Sequence, residues 1–355
     1  GIVIISYPYT GNVVINTNTT VSSPLYSFSN FTFTSIGTTG ASGPTSLSGY
    51  GTSYPGYGTS YALTILNSTS GIQVFTVPRS GYYNFIVAGA TGGYATNVAF
   101  AGGTGQIISG TVYLQYNTIL YIVVGQYGST NAYQSAGGGG SFVFKNSLTF
   151  NNLLFAAGGG GGATHGTAGG NALSTTAGGS GTLGNPVAGG VIGLGGTNGD
   201  IGLPGIGQQG PSVVYMSYPG NSATCAGGGG ALSVTQGGGG GGAGVRNIVA
   251  SSASIAGSGF IGGAAGTGGT GAASAGGFGG GGGSGSGNTG GGAGGGGGGY
   301  SGGGGGAGSF GTGGQGGGGG SYCTPLAINI NLNYGTNPSG TTLVNNGYVT
   351  VQLIG

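Results

Sequence analysis

The 355-residue sequence predicts an all-β protein: a β-sandwich interrupted by a long glycine-rich insertion and preceded by a separate strand. Residues 28–157 carry short β-branched and aromatic runs separated by Gly, Ser and Asn, a texture that suits a sandwich. Residues 158–322 are so dominated by glycine, as in 237–242, 294–299 and 302–306, that they hold few side chains from which to build a core. Residues 323–355 return to strand character, and nowhere does a helical period last three turns.

The first 27 residues form a unit of their own. Ile2, Val3, Ile4 and Ile5 make a short apolar run, and Val13, Ile15, Thr17, Thr19 and Val21 alternate with other residues at strand period. No hairpin signal follows, so the segment has no local partner. It is expected to act as a donor strand that inserts between strands of a neighbouring sandwich and buries Val13, Ile15 and Val21 in its core, with Ile2, Val3, Ile4, Ile5, Val13, Ile15 and Val21 at a subunit interface. Sandwich strands are expected over 31–34, 60–66, 73–77, 82–88, 105–116, 119–124 and 141–145, then over 326–333 and 347–354. In the last of these Val349, Val351 and Leu353 share one face. Its natural home is the sandwich left at Phe155, which makes the glycine tract an insertion rather than a tail.

Ordering a glycine tract costs on the order of 1–2 kcal/mol per residue, because glycine loses more backbone freedom than any other residue. Either the tract is disordered or its backbones hold one another. The ordered form is the extended threefold helix, which leaves every N–H and C=O free for a neighbour. Purely glycine segments then belong inside, and those carrying Ala, Ser or Phe278 outside. Collagen is excluded, since it needs Gly at every third position with abundant Pro. Phosphate-cradling loops are excluded as well, because no helix follows any run.

Only Arg79, Lys145, Arg246 and Asp200 carry formal charge. One Asp without Glu cannot supply a carboxylate pair, and the single His165 cannot anchor a metal cluster, so neither an enzyme nor a cofactor is expected. Three cations cannot neutralise a run of phosphates, which argues against nucleic acid. No stretch approaches the ~20 apolar residues of a membrane span. A polar but neutral surface favours association over dispersion.

Gly1 in place of Met fits removal of a signal peptide and equally fits a fragment. An extracellular, cell-surface setting would favour a disulfide between Cys225 and Cys323, the alternative being two buried thiols. Export would also open three sequons to glycosylation, at Asn18, Asn30 and Asn67. Tyr50, Tyr54, Tyr57 and Tyr61 cluster in a Gly/Ser/Pro loop, where they either cover the sandwich or meet a neighbour.

An ordered series of blocks carries a family resemblance: GIQVFTVPRSGYYNFIVAGATGG from Gly71, LYIVVGQYG from Leu120, GGGGSFVFK from Gly137 and LLFAAGGGGGA from Leu153. With GGGGGSY from Gly316 and GYVTVQLI from Gly347, the series resembles the glycine-rich domain of the anaplastic lymphoma kinase and leukocyte tyrosine kinase ectodomains and of related microbial surface proteins, over about residues 28–355. The resemblance implies a jelly roll like that of tumour necrosis factor, with an inserted bundle of polyglycine II helices. It transfers no receptor function. The donor-strand logic is similar to that of archaeal strand-complemented threads and pili. Two functions remain in view: a homopolymeric extracellular filament or surface layer, and an adhesin that grips glycans, other cell surfaces or ice through its loops or glycine bundle.

Overall fold

The computed structural model describes residues 23–68, 71–184, 190–205, 238–246, 274–285, 287, 291–309 and 311–354. Eleven strands are found there: β1 (Asn30–Phe33), β2 (Thr64–Ile65), β3 (Gln73–Thr76), β4 (Gly81–Ala88), β5 (Gly105–Leu114), β6 (Ile119–Val123), β7 (Ser141–Lys145), β8 (Leu153–Ala157), β9 (Tyr322–Cys323), β10 (Ile328–Asn337) and β11 (Tyr348–Ile354). They form two antiparallel sheets, one ordered β1-β11-β4-β5-β10 and the other β2-β3-β6-β7-β8-β9. The protein is therefore all-β and two-layered. The chain's last strand enters the middle of the first sheet, with Phe33 opposite Val349 on one side and Val351 opposite Phe85 on the other.

Alternation builds the core between the sheets. Tyr83, Phe85 and Val87 of β4 point inward with Ile108 and Val112 of β5 and Val349 and Val351 of β11, all buried. From the other sheet come Phe75, Leu120, Ile122 and Val143, and Phe85 stacks on Phe155 with centroids 4.9 Å apart. In β8 the register shifts, since Val143 faces Phe155 while Phe144 faces Leu153. The extra residue, Leu154, joins Phe155 in the core, and Leu153 turns to the opposite face. The expected strand over 60–66 shrinks to Thr64–Ile65. Gly56, at φ +71°, starts a turn that Thr59 and Leu63 close with backbone bonds to Gly56 and Pro55.

The outer face of the second sheet is apolar and covered. Phe142, Phe144, Leu153 and Val123 are sealed by Ala243, Val245 and Phe278 from the glycine-rich segments. Phe278 thus departs from the expected outer position. It is fully buried, because its ring fills the junction between sandwich and glycine segments, where glycine at 43 and 71 leaves room for it.

The glycine segments hold one another through their backbones, and the partners change with a period of three. In 294–299, the N–H groups of Gly294 and Gly297 donate to Gly314 and Gly317, those of Gly295 and Gly298 to Ser135 and Gly138, and those of Gly296 and Gly299 to Gly240 and Ala243. The carbonyls repeat this: Gly294 and Gly297 accept from Gly306 and Gly303, Gly295 and Gly298 from Gly162 and Gly159, and Gly296 from Gly282. One segment is therefore bonded to six others, whereas a β-strand has two neighbours. The segments that 294–299 donates to run in its own direction, while 303–306 and 159–162 run against it, so the packing mixes both senses. The runs 158–163 and 302–307 are surrounded in the same way. Several segments continue sandwich strands directly: β8 passes into 158–163, and 135–140 leads into β7.

Side chains are excluded by this arrangement. At every position from 294 to 299 the space a Cβ would fill is taken by a neighbour's carbonyl oxygen. A Cα–H facing oxygen there gains up to about 0.5–1 kcal/mol, so the missing side chain is replaced by a weak bond rather than a void.

With one Asp, one His and no Glu, little titrates in acid. The alkaline side differs, since burial raises the phenols of Tyr26, Tyr50 and Tyr83 above their ordinary value. A raised folded pKa gives stability that is full below the unfolded value of about 10 and is lost as pH rises through the folded value. Thermal melting followed by circular dichroism is expected to be flat from about pH 4 to 9 and to fall above about pH 10. A steep loss in acid would contradict this.

Candidate assembly site

Among the described residues no set of three His, Cys, Asp or Glu could hold a metal, and no helix is long and apolar enough to cross a membrane. His165 is half-buried beside Tyr133, with ring centroids 5.8 Å apart. The Arg246 guanidinium lies 4.4 Å from the Phe150 centroid, and its Nε donates to the Asn198 carbonyl. These are packing roles, and the informative surface lies at the sheet edges.

Three of the four edges are short or covered. β2 and β9 have two residues each, and 173–177 is bonded alongside the chain entering β9 through Gly319 and Ser321. β1 has four residues, flanked by Tyr50, whose ring packs edge-on against Phe31. The Tyr50 hydroxyl accepts from the Thr34 N–H at 2.7 Å and donates to Gln73 Oε1 at 2.9 Å. Tyr50 and Tyr54 thus cover the core, whereas Tyr57 and Tyr61 of the same loop are exposed.

β10 is different. It is ten residues long, carries no charge and, among the described residues, pairs only with β5. Ile328 is 52% exposed, Ile330 44% and Tyr334 53%, while Leu332 alone of these alternating residues packs against the core. Leu326, just before the strand, is 77% exposed. Natural edges are blunted by charge, proline, brevity or bulges. β10 has only the last device, with register shifts between Ile328 and Asn331 and again before Gly335. The sheet beyond offers a row of exposed apolar residues, since Tyr113 pairs with Tyr82 and Tyr82 with Ile354.

Within each sheet every interior strand already has two partners, so no gap between described strands could receive an inserted strand. A donated strand can add only at an edge. The donor positions Ile2, Val3, Ile4, Ile5, Val13, Ile15 and Val21 lie outside the described residues, as do Asn18 and Cys225. Asn30 is exposed on edge strand β1, and Asn67 is exposed in a turn at φ 54°, so both asparagines are on the surface. The exposed edge β10 was hidden from sequence reasoning, although its run of alternating apolar and Asn residues was readable.

Cys323 is half-buried and has no cysteine partner among the described residues, and burial pushes its thiol up to about 12. In its reduced form such a thiol is unreactive at neutral pH, which suits a structural role, as a buried thiol or as half of a disulfide. The expected bond to Cys225 is tested by peptide mapping of denatured, unreduced protein. A linked pair is the expected result, and two alkylated cysteines would overturn it.

No family model matches the chain, and a search of characterised proteins finds no significant match.

Proposed function

We propose that the chain is a structural subunit of an extracellular filament or surface layer that polymerises head to tail by donating its N-terminal strand. The observation that carries this reading is the edge β10, uncovered among the described residues, an apolar and uncharged strip on a protein with almost no charge to keep copies apart. In this reading the sandwich is a jelly roll of the kind the family resemblance implies, and the pairing of β1 with β11 supports it. The glycine segments are polyglycine II helices, supported by hydrogen-bond partners that repeat every third residue. Such a body is stiff without side chains, as a load-bearing subunit requires. Electron microscopy of purified native protein tests the proposal. Polymers with a regular subunit repeat are expected, and discrete particles at all concentrations would favour the adhesin instead.

A further inference from the structure

Resting on that polymerisation reading, we infer that the acceptor of the donated strand is β10, and that its occupant is residues 13–21 of a second copy. The lengths match, nine residues against the ten of Ile328–Asn337. The chemistry matches as well. Paired over its whole length, residues 13–21 would set Val13, Ile15 and Val21 beside the face on which Ile328, Ile330 and Tyr334 are exposed, while Asn and Thr on both sides require no charge partner. Adding a strand would satisfy the backbone groups that β10 presents away from β5.

The geometry selects a second copy over the chain's own segment. Leu25 is anchored by its N–H to the Pro78 carbonyl, directly after β3. In the second sheet β3 stands four strand steps from β9 (β3 to β6, β7, β8 and β9), and β9 is the strand of that sheet whose chain crosses directly to β10. Four steps span about 19 Å, whereas the four residue steps from Val21 to Leu25 reach at most about 14 Å. The donor segment leaves one flank and the acceptor lies on the other, which favours head-to-tail donation from copy to copy over reciprocal exchange within a pair.

The test is photocrosslinking of the full chain with benzoylphenylalanine at position 15, using a mixture of unlabelled and ¹⁵N-labelled protein. Mixed-isotope adducts joining position 15 to residues 326–337 are expected. Adducts that map elsewhere in polymers, or that never mix isotopes, would overturn the acceptor assignment while leaving polymerisation intact. Absence of any polymer from the native chain would sink both. Ile330→Lys provides the second arm. At an exposed position it is expected to leave the monomer's melting curve unchanged and to lower the polymerised fraction by roughly tenfold. Full polymerisation of that variant would count against β10.

Discussion

Gly297→Ala is expected to unfold the glycine-rich half of the molecule. A Cβ at this position would overlap the Gly159 carbonyl oxygen, which is held in turn by the N–H of Gly319. Relief requires moving segment 294–299 or 158–163. Each is bonded to several others, so the strain spreads instead of being absorbed at one loop. Overpacking of an ordinary core costs about 1–3 kcal/mol because flexible side chains give way. Here only backbone surrounds the intruder, and losing even three buried hydrogen bonds adds about 1–3 kcal/mol for each group left unsatisfied. The total exceeds about 4 kcal/mol, within the range of a domain's whole stability.

A matched pair isolates the cause. At Gly178 a Cβ would overlap the Gly302 carbonyl, whereas at Gly179, the next residue, the nearest atom is the Gly318 nitrogen at 3.4 Å. Gly178→Ala should therefore destabilise strongly, and Gly179→Ala should change stability by less than about 1 kcal/mol. Equal effects, or a tolerated Gly297→Ala, read by thermal melting and amide exchange, would show that the backbone contacts do not hold the tract.

How far the sequence exposed this architecture depends on what each segment's side chains had to satisfy. Strands with one covered face, such as Gly81–Ala88, showed the alternation that marks them, and the all-β character followed from many such segments. Leu153–Ala157 escaped the strand assignments because both its faces are covered, by the core on one side and the glycine segments on the other, so its apolar run does not alternate. The strand expected over 60–66 failed where a glycine turn took most of its length. In the glycine tract the threefold repeat lies in bond partners, not in residue types, and a run of identical residues cannot display it. The candidate assembly site was legible by half. The β-branched alternation of Val13, Ile15 and Val21 marks a donor, but the openness of β10 depends on which strands end early beside it, a property of the whole sheet.

Removing residues 1–21 is expected to leave a folded body that no longer polymerises. Among the described residues the core begins at Tyr26 and Phe28, and Phe28 packs on Phe75 and Tyr83 with centroids 5.1 Å and 6.3 Å apart. Every interior strand of both sheets also keeps its two partners without it. What is lost is contact between copies. Burying three Val or Ile side chains contributes roughly 1.5–3 kcal/mol each, about 5–9 kcal/mol together, before any backbone ladder is counted. Since 1.4 kcal/mol is tenfold, association should weaken by about 10³–10⁶-fold, enough to abolish polymers at micromolar concentration. Ile15→Asp offers the milder version. It keeps the ladder and forces one charge against apolar side chains, so shorter or salt-insensitive but labile polymers should form. Sedimentation and electron microscopy read both variants, with circular dichroism confirming that the body stays folded. Filaments of normal length from the truncated chain would sink strand donation, because no other segment combines β-branched alternation with the absence of a local partner.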